Sequence, residues 1–84
     1  MSDNMKKVAI IGLGRVGIPL CLFMDNLGFS VIGIDKDESV INSLRKKKMP
    51  FFEKGCDELL SNADAQFMND IKFAATADYI IITV

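Results

Sequence analysis

Residues 6–17 read KKVAIIGLGRVG, and what this stretch forms decides the fold. Lys6–Ile11 is a β-branched run without a polar residue after Lys7, the pattern of a strand buried on both faces. Gly12, Gly14 and Gly17 then mark a turn. From Arg15 to Leu27 the apolar residues Val16, Leu20, Phe23, Met24 and Leu27 fall at i, i+4, i+7, i+8 and i+11, which predicts a helix with that stripe turned inward. Pro19 sits in or just past its first turn, where a missing N–H does least harm. Gly28 supplies the stop. Ser30–Ile34 (SVIGI) reads as a second buried strand, ended by Asp35.

Working outward, Asp37 is placed to cap a helix carrying Val40, Ile41 and Leu44 at helical spacing. Arg45–Lys48 form a basic run at its end, either a solvated last turn favoured by the helix dipole or an anion site. Met49–Gly55 (MPFFEKG) reads as a loop. Asp57–Ala65 reads as a short helix buried through Leu59, Leu60 and Ala63. Tyr79–Val84 (YIIITV) is a strand, and Ile71–Ala74 reads as a weak strand before it.

Alternating strands and helices predict an α/β fold with a parallel sheet. The expected form is a Rossmann-type doubly wound sheet, incomplete, with its first half only. Lys6–Ile11 is expected between Ser30–Ile34 and Tyr79–Val84. One detail resists. A parallel crossover needs a dozen or more residues, and only Ala75–Asp78 separate the last two segments. So Ile71–Ala74 is not a proper strand, or lies antiparallel, or residues between the two are missing. With the third strand lost or shortened, the Asp57–Ala65 helix would carry the crossover to Tyr79. Val31 and Ile32 would then be left on a bare edge open to pairing with another chain.

The 84 residues, 9.3 kDa, allow at most one small domain. Half are hydrophobic, enough for a core. Ten basic against eleven acidic residues leave a net charge of −1, which argues against a nucleic-acid module. The longest apolar stretch, Ile18–Met24, is far short of the ~20 residues of a membrane span. Lys6 and Lys7 precede an apolar run, but Arg15 interrupts it and no small-residue cleavage site follows, so export is not expected. Cys21 and Cys56 stand far apart in a chain without histidine, which excludes a Cys/His metal site and fits two reduced thiols in a cytoplasmic protein. No metal site is expected. Residues 1–5 read as a polar, frayed lead.

Gly12-x-Gly14-x-x-Gly17 is weak as a pattern alone. Here it follows a strand, opens a helix, and is followed by a strand ending in Asp35, 18 positions beyond Gly17, near the ~20 expected of a dinucleotide site. Gly12 permits the tight turn, Gly14 lets a pyrophosphate approach the backbone, and Gly17 lets the helix pack on the strand. N–H groups of Leu13, Gly14, Arg15, Val16 and Gly17 at the helix start would meet the phosphates. Asp35 would accept hydrogen bonds from the adenosine ribose and repel a 2′-phosphate, so NAD is expected over NADP. Lys36 beside it would partly offset that repulsion. The alternative is that the glycines only make a turn and Asp35 only caps. Arg15 is open between a phosphate contact and an exposed arginine.

The runs KVAIIGLGRVGIPL, GFSVIGIDKDESVINSL, MPFFEKGCDELL and ADYIIITV resemble the UDP-glucose/GDP-mannose dehydrogenase family. Gly17-Ile18-Pro19-Leu20 and Pro50-x-x-Glu53-x-Gly55-x-x-Glu58-Leu59-Leu60 set that resemblance apart from other Rossmann proteins. It covers about residues 6–84 and only the beginning of the family's length. It implies that residues 1–84 are the truncated N-terminal NAD-binding domain of a nucleotide-sugar 6-dehydrogenase, a homo-oligomer with no membrane or nucleic-acid partner. Such enzymes oxidise the sugar C6 hydroxyl to a carboxylate with two NAD, through a later domain's catalytic cysteine. Cys21 and Cys56 do not match that nucleophile, so no catalytic residue is expected here and the chain alone should be inactive. Val40 stands where the UDP-glucose branch often has arginine, which leans towards the N-acetylhexosamine branch. The family also has a longer stretch between its third and fourth strands, and its next cofactor-contacting turn lies beyond Val84. The other reading is a non-catalytic regulatory nucleotide-binding domain of a potassium transport system, against which the MPFFEKG loop argues.

Overall fold

The structure, a computed structural model, describes residues 5–83. The first four residues of the polar lead expected at 1–5, and the last residue expected in the final strand, Val84, lie outside the described residues. In chain order the elements are β1 (Lys7–Ile11), α1 (Gly17–Asn26), β2 (Ser30–Ile34), α2 (Glu38–Arg45), α3 (Cys56–Asn62), β3 (Gln66–Met68), a 3-10 turn (Ile71–Ala74) and β4 (Tyr79–Ile82). The strands form one sheet in the order β3-β2-β1-β4. Every pairing is parallel, with Ile10 opposite Gly33 on one side and Ile81 on the other, and Gly33 opposite Phe67. The doubly wound reading holds, with β1 in the middle.

Strand alternation divides the core in two. Val8, Ile10, Val31 and Phe67 face the three α-helices and pack with Ile18, Cys21, Leu22, Ile41, Leu44 and Leu60. Ala9, Ile32 and Ile34 face the other way and meet only Ala74 of the 3-10 turn, with Ile11, Met68 and Ala77 at the margin. Moving from β1 to β2 to β3 by right-handed crossovers puts all three helices on one face. The chain crosses back to β4 over the other face, through the 3-10 turn.

Four expectations need correction. The stripe Val16, Leu20, Phe23, Met24, Leu27 does not face inward. Val16, Phe23 and Leu27 are exposed, Leu20 and Met24 only half-buried, and α1 buries Gly17, Ile18, Cys21 and Leu22 instead. GIPLCLFMDN is apolar almost all round, so periodicity cannot choose a face; the close approach at Gly17 chooses it. Ile71–Ala74 is not a strand, which was the first of the three options; the third strand is Gln66–Met68, and ten residues, 69–78, make the return to β4. Nor is β2 a bare edge. It pairs with β3 from Ile32 to Ile34, and Val31 is 3% exposed. Finally, α3 belongs to the α2–β3 connection rather than to the crossover reaching Tyr79.

The basic run at the end of α2 is exposed, as a solvated turn would be, but two of its residues tie elements together. Arg45 Nε donates to the Phe67 carbonyl at 2.9 Å, and Lys47 Nζ donates to the Ala63 carbonyl at 2.7 Å. Arg45 thereby holds the short β3 from the side.

Candidate cofactor site

The carboxyl ends of β1 and β2 lie side by side, and the loops leaving them make the site. Ligands of open α/β sheets bind outside such carboxyl ends. Gly12 leaves β1 with φ +102°, and its N–H donates to the Ile34 carbonyl at 2.8 Å. A Cβ on Gly12 would overlap the Thr83 carbonyl, and one on Gly17 would overlap the Gly12 carbonyl oxygen. Both glycines are therefore required by the protein's own packing. Gly14 is different: a Cβ there would meet nothing within 4 Å. The protein's own packing does not demand a glycine at that position, and the open space leaves the backbone there accessible from outside.

Asp35 stands at the end of β2. Its Oδ2 accepts the Leu13 N–H at 2.8 Å, and its Oδ1 accepts the Asp37 N–H at 2.9 Å. One carboxylate thus fixes the glycine turn and the entry to α2 together. Each carboxylate oxygen has two acceptor sites, so one on each remains for a diol. Asp37 caps α2, its Oδ1 accepting from the Ser39 N–H at 3.0 Å and the Ser39 hydroxyl at 2.7 Å. Those bonds hold the Asp37 carboxyl below its usual value.

Two clefts meet at Gly12 and Asp35. One, of about 490 Å³, is lined by Ile11, Gly12, Ile34, Asp35, Lys36, Asn69, Asp70 and Ile71. Its apolar walls suit a flat heterocycle, with Asp35 at the rim for a ribose. The other, of about 400 Å³, is lined by Gly12, Leu13, Gly14, Arg15, Val16, Asp35 and Thr83. Among the described residues, the N–H groups of Gly14, Arg15 and Val16 make no hydrogen bond to the protein, as a cradle for an anion needs. All eight predicted residues, Gly12 to Gly17 with Asp35 and Lys36, therefore lie at or beside these two clefts. Another cavity, of about 280 Å³, lies at the opposite end of the strands against Lys7, Asp25, Asp64 and Gln66, and holds none of them.

Thr83 was not anticipated. Its hydroxyl donates to the Gly12 carbonyl at 2.6 Å and its N–H to the Ile11 carbonyl at 2.8 Å, fastening the glycine turn from the β4 side. The only signal in the sequence is a hydroxyl closing an apolar strand. Arg15 lies over the Phe51 ring, its guanidinium carbon 4.7 Å from the centroid.

The thiols are poor nucleophiles. Burial, with the Asp25 carboxylate nearby, pushes Cys21 up to about 12. Burial also raises Cys56, assisted by Glu53 and Asp57. A thiol so raised is protonated at neutral pH and inert. Among the described residues no three His, Cys, Asp or Glu side chains gather as metal ligands, and no helix is long and apolar enough to cross a membrane.

Known proteins resemble the chain over nearly its whole length. Residues 6–84 match the NAD binding domain of the UDP-glucose/GDP-mannose dehydrogenase family. The chain is 36% identical over 83 residues to a UDP-glucose 6-dehydrogenase of Rhizobium meliloti, covering 93% of this chain and 19% of that protein. It is 32% identical over 82 residues to a UDP-N-acetyl-D-mannosamine dehydrogenase of Methanococcus maripaludis, covering 96% and 19%. Among solved structures, a UDP-glucose dehydrogenase from Pyrobaculum islandicum superposes with a TM-score of 0.91 at 29% identity, over 96% of this chain and 20% of that one. The chain thus spans about one-fifth of the length of the relatives it matches.

Proposed function

We propose that this chain, which belongs to the UDP-glucose/GDP-mannose dehydrogenase family as an NAD-binding domain, grips the adenosine and diphosphate of NAD for a nucleotide-sugar 6-dehydrogenase. Asp35 accepts the adenosine ribose hydroxyls. The apolar cleft beside Ile11, Ile34 and Ile71 takes the adenine, with Lys36 at its rim. Gly14 and the N–H groups of Gly14, Arg15 and Val16 take the diphosphate, while Gly12, Leu13 and Gly17 hold the turn in shape. The observation that carries this reading is Gly14, a glycine with open space where its side chain would be, beside a carboxylate with spare acceptor sites. When bound, NAD supplies a hydride acceptor.

In the whole enzyme the substrate is a UDP-sugar, glucose or an N-acetylhexosamine, whose C6 hydroxyl is oxidised to a carboxylate with two NAD. The parent is a cytoplasmic homo-oligomer serving polysaccharide synthesis. These 84 residues bring the cofactor grip and no group for the chemistry, since both thiols are buried and held protonated. Purified chain should form no NADH from a UDP-sugar.

Calorimetric titration with NAD and NADP tests the reading. NAD should bind more tightly, because a 2′-phosphate would face the Asp35 carboxylate. Asp35→Asn should cost NAD roughly 1.5–3 kcal/mol, the worth of hydrogen bonds to a charged acceptor, and narrow the margin over NADP. An unchanged preference in a variant that still melts cooperatively would refute Asp35 as the ribose ligand.

A further inference from the structure

Arg15 is the cation nearest the diphosphate cleft, and its surroundings are unusual for an exposed arginine. It lines that cleft and also a neighbouring groove with Pro19, Phe23, Glu53 and Leu59. Its guanidinium lies over Phe51 at 4.7 Å. Phe51 is half-buried and packs against the main core, so the ring is a fixed platform rather than a second mobile side chain. Among the described residues the guanidinium makes no hydrogen bond to the protein. A cation–π contact of this kind uses no N–H···O hydrogen bond, so the guanidinium donors remain available to an anion. A long side chain that would otherwise lose much rotamer freedom on meeting an anion is already partly ordered.

We propose that Phe51 is a positioning residue for the cofactor: it holds Arg15 at the mouth of the cleft so that the guanidinium meets the dinucleotide diphosphate. The inference rests on the reading of the cleft given above, and goes beyond it by assigning a role to the loop between α2 and α3. Phe51 lines neither of the two clefts. Its effect passes through Arg15.

The test is a set of calorimetric titrations of the full chain with ADP-ribose, which has the diphosphate, and adenosine, which does not. UDP-glucose is a third ligand, to separate the cofactor's diphosphate from a sugar nucleotide's. Arg15→Ala should weaken ADP-ribose roughly 10-fold, the low end for a charge-assisted contact at an exposed site, and leave adenosine unchanged. Phe51→Leu, which keeps an apolar plug, should weaken ADP-ribose roughly 3-fold, again sparing adenosine. Phe51→Tyr should restore binding. In the Arg15→Ala background Phe51→Leu should cost nothing more, since nothing is left to position. Losses of similar size for adenosine, or a Phe51→Leu loss that persists without Arg15, would show a merely structural role and overturn the proposal. So would an unchanged ADP-ribose affinity in Arg15→Ala, or a larger Arg15 effect on UDP-glucose than on ADP-ribose. A folded wild-type chain that binds neither adenosine nor ADP-ribose would instead overturn the cleft reading itself, and the role of Phe51 with it.

Discussion

The two faces of the sheet are built differently. On one, three helices close over Val8, Ile10, Val31 and Phe67. On the other a single 3-10 turn covers Ala9, Ile32 and Ile34, while Ile80 and Ile82 stay 53% and 68% exposed. The same β-branched strand sequences serve both faces, so composition does not make the difference. Connectivity does: the two crossovers that step from β1 to β3 are long enough to carry helices, and the ten-residue return to β4 is not. The candidate clefts sit at the carboxyl end of β1, which lies between β2, joined to it by a helical crossover, and β4, reached by the short return.

Core truncations break this contrast most directly. Leu22→Ala on the helix-covered face, at 1% exposure, should cost roughly 2–5 kcal/mol. Ile82→Ala on the other face should change stability by less than about 0.5 kcal/mol. Urea melts of both variants check the pair, and equal losses would mean that the second face is covered too.

The glycines sharpen the contrast between what the fold needs and what a ligand needs. Gly17→Ala forces α1 off the glycine turn and should cost about 3 kcal/mol. Gly14→Ala has room and a permitted backbone conformation, so its stability should hold or rise by about 0.5 kcal/mol. Its NAD affinity should nevertheless fall. Thermal melts paired with NAD titration separate the two effects; a Gly14 variant that binds normally would remove the main reason for placing the diphosphate there.

A further effect concerns Cys21 and shows only as pH rises above neutral. Its thiol is raised from 9.0 to about 12 in the folded chain, so the neutral form is the one the fold favours. That stability is fully present below the unfolded value near 9 and is lost as pH rises towards 12. Urea midpoints should therefore fall between pH 8 and pH 10, by less in Cys21→Ala. Below pH 8 wild-type Cys21 should react with a thiol reagent only as fast as the chain opens. Rapid modification of folded protein would contradict its burial.

Legibility in the sequence followed the same division. From Lys7 to Asp37 the strands, the glycine turn, the acid and the cap could be read, because long β-branched runs and glycines at fixed spacing leave few alternatives. The buried face of α1 could not, since its apolar residues run nearly all round and the choice depends on where Gly17 meets Gly12. Gln66–Met68 is too short for an alternating pattern, and it owes its register to Gly33 and to the Arg45 bond, neither of which is local. Ile71–Ala74 is apolar enough to imitate a strand, yet Asp70 accepts the Lys72 N–H at 2.9 Å and turns it into a 3-10 helix. Within the site, the residues of the glycine motif could be read, whereas Thr83 and Phe51 act across the fold and carry no spacing signal.

The most direct test of the cleft is a proton–nitrogen NMR titration of the chain with NAD. Shifts should concentrate on the amides of Leu13 to Gly17 and Asp35 to Asp37, with none at Gly28, Asp64 or Gln66 at the other end of the strands. Shifts centred on that opposite end, or none at saturating NAD, would contradict the assignment of the cofactor to the glycine turn and Asp35.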